Sequence, residues 1–428
     1  MNEILRGMRT LSVTSLGHGM AGGEGMAVHA GPGGRRTLFV AAEHAPADFV
    51  AVDVTDPRRP AVIYHSEIPP GVRSNNLAIF GDLLAVTRQA RDKGGKPAGV
   101  EFFDISAPAA PRSVGFFDAS GGQSVGTHFV WLAADGFAYL ATQTADYVPR
   151  DPRDRFMMSI LDVADPSRPA ETGRWWPPGV REGDDAPPPL RPAQRLAASR
   201  GVALTSEQRA ARRADIGGES AWDFGFRVHN ITVLPEQPNR AFVACTSGGG
   251  HILDISDRSR PTPVGSLQYS GPLPGAAHTF VPLGSSGFAV LSDETLEEGA
   301  ADAPQNLWIV DARIEERPLI IGAAGPPWPD PTPAQGRFGA HNLHEYPPGQ
   351  AALRSFDLVA GAFFGLGIGV YDFSAPVRPR EIGHFAPGPA REGPGKGQLN
   401  DVFVDDRSVV YAVDRKSDLC YALEIIGA

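Results

Sequence analysis

Six segments of the chain end an apolar run on Asp and place a Pro seven residues later: FVAVDVTDPRRP, VEFFDISAPAAP, SILDVADPSRP, HILDISDRSRP, LWIVDARIEERP and GVYDFSAPVRP. The pairs are Asp53 and Pro60, Asp104 and Pro111, Asp162 and Pro169, Asp254 and Pro261, Asp311 and Pro318, and Asp372 and Pro379. An Asp closes a strand by accepting backbone N–H groups in the turn that follows. Pro has no N–H to give, so within a sheet it opens a strand or sits at an edge. Each segment therefore predicts a strand, an Asp turn and an outer edge strand.

Two more strand-like runs precede each Asp, as in THFVWLAADG followed by FAYLAT, or VHNITVLPEQPN followed by RAFVACT. Each repeat then reads as a four-stranded antiparallel sheet. Successive Asp residues stand 51, 58, 92, 57 and 61 residues apart, a spacing that suits propeller blades carrying loop insertions. A seventh unit, LNDVFVDDRSVVYAVDRKSDLCYALEI, has three strands and no outer one. The N-terminal run from Leu11 to Leu16 is expected to supply it and close the ring, which removes open sheet edges. The expectation is an all-β, seven-bladed β-propeller of four-stranded antiparallel blades, one body over 1–428, with a lid-like insertion at 175–227 between blades three and four. Fifty Gly and 40 Pro beside an apolar fraction of 42 % fit short strands joined by turns around a large core.

The balance of 39 basic against 49 acidic residues, net −10, holds no run of Lys or Arg, so nucleic acid and anionic membrane are poor partners. Two cysteines, Cys245 and Cys420, provide neither a disulfide framework nor a thiolate metal site. No apolar stretch reaches membrane-spanning length, and the first residues lack a signal-peptide core. These features lead us to expect a cytoplasmic protein acting on a small molecule.

The apolar-apolar-Asp strands resemble those of the LVIVD-repeat family of β-propellers, and the resemblance spans nearly the whole chain. It implies the fold and leaves the function open, because a propeller hosts enzymes and binding scaffolds alike.

The chemistry emerges when the first strand of each repeat is aligned on its alternation. Repeats three to six read His128-Phe129-Val130, His229-Asn230-Ile231, His278-Thr279-Phe280 and His341-Asn342-Leu343. At the same place the other repeats carry Glu24, Asn75 and Asn400. The innermost strands line the central channel, so these side chains are expected to converge near its mouth as a ring of imidazoles. One reading is that the His cap the strand starts around a water-filled channel. The other is a divalent transition metal: crowded imidazoles depress one another's pKa and point lone pairs at each other, which a cation resolves. Four nitrogens and no thiolate suit iron(II), copper, manganese, nickel or zinc rather than calcium or magnesium. The arrangement is similar in architecture to the carotenoid cleavage oxygenases and to the selenium-binding protein and methanethiol oxidase family. That similarity implies a redox or oxygen-activating centre, with iron(II) favoured.

Glu24 reads as a further ligand, a partner orienting a His, a general base, or a carboxylate accepting backbone N–H bonds, with Asp401 in reserve. Arg227 and Arg337, each shortly before a ring His, are candidates for binding a substrate oxyanion. Asn75, Asn400, Trp222, Phe226 and Phe338 are candidates for lining a substrate site, together with Phe224 and Trp328. His344 should face the opposite side of its strand and serve packing. GLGIG (365–369) and GPGKG (393–397) open no helix after a parallel strand and read as turns rather than phosphate cradles. Three classes follow: a metal-dependent oxidoreductase or oxygenase acting on a small apolar or aromatic molecule, a redox-neutral metal-dependent hydrolase or lyase, and a non-catalytic binding propeller.

Overall fold

The computed structural model describes residues 4–17, 20–44, 47–68, 70–192, 194–195, 223–268, 275–300, 305–327, 336–388 and 397–426. All six repeat Asp residues end a strand and accept, through Oδ1, the N–H two residues on. The donors are Thr55, Ser106, Ala164, Ser256, Arg313 and Ser374, at 2.8–3.1 Å. All six Pro residues stand immediately before an outer strand: Ala61–Glu67, Arg112–Asp118, Ala170–Trp175, Thr262–Leu267, Leu319–Ala324 and Arg380–Ala386.

The strands form an all-β propeller of antiparallel sheets. Four-stranded sheets run from Gly22–Ala30 to Ala61–Glu67, from Val228–Thr232 to Thr262–Leu267, and from Ala277–Pro282 to Leu319–Ala324. A fourth comprises Leu358–Ala362, Ile368–Asp372, Arg380–Ala386 and Ile4–Arg6, and a fifth Leu399–Val404, Val409–Asp414, Leu419–Ile425 and Met8–Ser15.

Hydrogen bonding thus gives five separate four-stranded blades rather than the seven expected. Residues 72–175 make a single nine-stranded sheet, because Gly126 pairs with Gln89 and bridges two repeats. The first strand of the earlier repeat is broken into Val72–Arg73 and Leu77–Phe80, and Gln89, which pairs with Arg73 on one side, runs past the start of Gly99–Asp104 and meets Gly126 on the other. The inner run at 341–344 is likewise irregular. It is tied to Leu358–Ala362 by His341 N to Ala362 O at 2.9 Å and His344 N to Ala360 O at 2.9 Å.

The N-terminal segment serves two sheets instead of one. Ile4–Arg6 pairs with Arg380–Ala386, and Met8–Ser15 pairs with Leu419–Ile425. Gly7 makes the jump with φ of +60°, and a Cβ there would stand 2.0 Å from the Ile382 carbonyl oxygen, so only glycine fits.

Apolar side chains fill the spaces between neighbouring sheets. The largest cluster includes Phe129, Trp131, Tyr139, Val243 and Ile309, and Trp131 Nε1 donates to Val233 O at 3.0 Å. The Asp turn of one repeat also presses on the outer strand of the repeat before it. A Cβ on Gly173 would lie 2.0 Å from Arg258 O, and one on Gly265 would lie 1.8 Å from Glu315 O. Gly173→Ala is therefore expected to cost about 1–3 kcal/mol, as overpacking against backbone does. Denaturant unfolding of the full chain measures it, and an unchanged midpoint would contradict this contact.

Candidate metal centre

The inner strands Gly126–Leu132, Val228–Thr232 and Ala277–Pro282 share a defect. Each slips register against its neighbour, between Thr127 and Phe129, between Val228 and Ile231, and between Ala277 and Thr279. A β-bulge leaves a residue outside the ladder and re-aims its side chain. The residues left out include His128, His229 and His278, and equivalent slips leave out Glu24 and Asn400. His341 joins from the irregular run before Leu358–Ala362.

The four imidazoles form a chain of contacts, with ring centroids 4.4 Å apart for His128 and His229, 4.1 Å for His229 and His278, and 4.2 Å for His278 and His341. Phe156 stacks on His128 at 5.5 Å, and Phe364 lies 4.5 Å from His341.

The outward nitrogens are tied to the protein. Gln89 Oε1 accepts from Arg73 Nε at 3.0 Å and lies 3.0 Å from His128 Nδ1. Arginine only donates, so the shared Gln89 atom is the oxygen and His128 Nδ1 carries the hydrogen. The Asn400 carbonyl oxygen fixes His341 Nδ1 in the same way at 2.6 Å. Asn230 Oδ1 holds His229 Nδ1 at 2.9 Å, and the Thr279 hydroxyl lies 2.8 Å from His278 Nδ1.

Three of the four rings therefore present a bare Nε2 lone pair to the axis. His128 Nε2 and His229 Nε2 face each other at 2.9 Å, while His278 Nε2 and His341 Nε2 are buried without a hydrogen-bond partner. Protons do not relieve this. Burial, reinforced by His278 and His128, holds His229 well below its ordinary pKa, and burial with His278 pushes His341 down to about 3. Burial also lowers His128, against an opposing pull from Glu24.

The donor set fits a cation. Two ligands bound at about 2.0–2.1 Å lie about 2.9 Å apart at a right angle and about 3.4 Å at the tetrahedral angle. Glu24 Oε2 is 3.5 Å from both His128 Nε2 and His278 Nε2, and its Oε1 is 3.8 Å from His341 Nε2. Glu24, His229 and His278 form one group with metal-binding spacing, and His278, Glu294 and His341 form another.

Glu294 was not among the residues singled out by spacing, although its signal is present. It follows the strand Phe288–Asp293, whose end pairs beside the start of Ala277–Pro282 and hence beside His278. Its Oε1 lies 3.8 Å from His341 Nε2 and 3.0 Å from Arg337 Nη1. Arg337 is thus engaged by a carboxylate. Arg227 forms no ion pair among the described residues, and its Nε is buried without a hydrogen-bond partner.

The remaining candidates fall elsewhere. Asn75 lies 3.4 Å from His128 Nδ1, and the Asn400 amide donates to the Gly22 and Gly23 carbonyls, so both support the ring from outside. Phe226 and Phe338 are buried in the protein at 1 % and 0 % exposure. Phe226 lies beneath the Arg191 and Arg195 guanidinium groups, so neither ring forms an open substrate wall. Trp222, Trp328 and most of the 175–227 insertion lie outside the described residues. His344 links Leu353 O and the Val404 N–H, as a packing residue does.

A metal-competent His/Glu cluster on the axis of a β-propeller defines the class. The LVIVD repeat family model matches residues 239–268, the segment around Asp254 and Pro261, and the propeller arrangement of the sheets is consistent with that repeat. The crystal structure of RRP9 WD40 repeats is similar at 11 % identity and a TM-score of 0.55, covering 97 % of this chain and 99 % of that one. The structure of U3-55K is similar at 10 % identity and a TM-score of 0.54, covering 96 % and 98 %. Both show the propeller fold alone. No curated protein matches the sequence. No helix among the described residues is long and apolar enough to cross a membrane.

Beyond the ring, a cavity of about 40 Å³ is lined by Glu24, Met26, Trp131, Glu345 and Asp401. Burial pushes the Glu345 carboxyl up to about 8 and Asp401 up to about 7. Glu345 Oε1 accepts from Asn230 Nδ2 at 3.0 Å, a bond that a glutamine oxygen preserves. Between the ordinary value of 4.5 and about 8 the folded chain keeps a proton at Glu345 that the unfolded chain has lost. This contribution to stability is present below that window and is lost as pH rises through it. The stability difference between Glu345→Gln and wild type should accordingly shift in favour of the variant from pH 5 to pH 9. A pH-independent difference in unfolding midpoints would refute the assignment.

Proposed function

We propose that the protein is a metal-dependent enzyme whose centre is built from His128, His229, His278 and His341, with Glu24 and Glu294 alongside. The observation that carries this reading is the convergence of four buried imidazoles whose outer nitrogens lie beside protein oxygens and whose inner nitrogens meet at the axis, those of His278 and His341 without a hydrogen-bond partner. Such a set takes a divalent transition metal, and iron(II) is our first choice before copper, manganese or zinc. When bound, that metal would supply redox or Lewis-acid chemistry. We favour an oxidoreductase, specifically an oxygenase, acting on a small molecule.

The protein's own residues have definite parts in this reading. Gln89, Asn230 and the Asn400 carbonyl keep three imidazoles neutral and oriented, as ligands require. Phe156 and Phe364 shield the flanks of the ring from water. Glu24, within reach of three imidazoles, holds or moves a proton at its carboxylate oxygens. We further propose that the nine-stranded sheet comprises two blades fused at Gln89 and Gly126, giving seven sectors around one body. In this proposal the 175–227 insertion acts as a lid. Two buried, unpaired cysteines fit a cytoplasmic setting.

Elemental analysis of untagged protein, after anaerobic reconstitution, should find about one metal per chain. His229→Ala and His278→Ala should each weaken retention by more than about 100-fold, beyond the roughly 10–100-fold typical of an outer-sphere partner, while circular dichroism stays unchanged. Oxygen uptake by the loaded protein then tests the oxygenase assignment. A wild-type chain that takes up no metal would overturn the enzyme reading and leave a binding propeller.

A further inference from the structure

The mouth of the ring carries more positive charge than its own carboxylates neutralise. Five arginines surround it: Arg73, Arg155, Arg227, Arg337 and Arg415. Arg337 pairs with Glu294, while Arg73 and Arg415 share Glu43, with contacts of 3.0–3.3 Å. Arg337 and Arg415 both lie over Phe364, each 5.5 Å from its centroid, and Phe364 packs on His341.

Arg155 and Arg227 are different. Among the described residues neither forms an ion pair, and the Nε of each is buried without a hydrogen-bond partner. Arg155 lies over Phe156 at 5.3 Å, and Phe156 stacks on His128. The carboxylates nearest in sequence are already engaged. Asp151 is held by Arg153 and Arg191, Asp154 by Arg191, and Asp223 by both arginines. Burial, together with the charges of Arg227 and Arg73, lowers Arg155 to about 10, and burial lowers Arg227 against the longer-range pull of Glu294 and Glu24. Two neighbouring guanidinium groups taken partly out of water with no ion pair among the described residues are costly to hold, and a divalent metal in the ring would add to the imbalance by engaging Glu24 and Glu294.

We propose that Arg155 and Arg227 form a clamp for an oxyanion, so that the substrate of the metal centre is a small molecule bearing a carboxylate or phosphoryl group. A guanidinium presents paired donors that match either group. Arg155 also lines a cleft of about 470 Å³ with Gln123, Gln143, Tyr147 and Lys93. That volume suits a small organic molecule, with its anionic end at Arg155 and the remainder toward Tyr147 and Val148. This inference rests on the enzyme reading for the word substrate, whereas the anion site itself requires only the two arginines.

Calorimetric titration of the full chain, metal-free and metal-loaded, with sodium phosphate, sodium acetate and neutral acetamide tests the clamp. Wild type should bind at least one of the anions in both forms, and acetamide in neither. Phosphate alone would mark a phosphoryl substrate and acetate alone a carboxylate. Arg155→Gln and Arg227→Gln should each weaken the anion by about tenfold or more, with metal content unchanged. Their thermal midpoints should equal or exceed that of wild type, because each removes an unpaired buried charge. Absence of anion binding in wild type, or equal binding in both variants, would overturn the proposal. Binding confined to the metal-loaded form and indifferent to both substitutions would mark the anion as a metal ligand only, again against the clamp. Failure of metal uptake with anion binding intact would instead count against the metal centre alone.

Discussion

Met8–Ser15 pairs with Leu419–Ile425, so a strand from near the start of the sequence holds one from near its end, and the axis exists only because that contact closes the ring. His128 and His229 stand 101 residues apart and His341 a further 112, yet their rings lie in one continuous set of contacts. No local segment could hold four imidazoles at these separations. Closure also removes the exposed edges that would invite pairing with other chains, and Gly7 allows the same short segment to cover a second sheet.

The axis that closure creates is electrostatically tense. Buried Nε2 lone pairs face one another, and every outer nitrogen lies beside a protein oxygen that restricts ring rotation. Ordinary core packing would have avoided this, since a buried polar atom without a partner costs free energy. Five inner strands share a bulge at the same height, which turns side chains out of the ladder toward one point. At the mouth above, the pattern recurs with opposite sign in two guanidinium groups that form no ion pair among the described residues. Both features represent stability given up at one place, and a bound cation and a bound anion are complementary ways to recover it.

Much of this was legible in sequence. The Asp turns and pre-strand prolines behave as their chemistry dictates, and the aligned His positions do meet. The count of separate blades was not legible, because one hydrogen-bonded position at Gln89 and Gly126 merges two repeats. Glu294 escaped notice because it belongs to a second strand, where only the antiparallel register places it beside His278. Arg155 escaped because its significance lies in what it lacks: Asp154, adjacent in sequence, turns instead to Arg191 and the Phe226 N–H. Phe226 and Phe338, expected in a substrate wall, are buried, since an aromatic side chain near a site is as readily drawn into the core.

Sequence by itself determined the repeat, the strand ends and the set of imidazoles that share one place in it, because those follow from local rules of turn chemistry and alternation. Tertiary structure decided which carboxylates join the ring, which nitrogen of each His faces the axis, and which arginines form no ion pair among the described residues. Those properties depend on distances between side chains from different sheets, and a linear chain does not encode them in any local pattern.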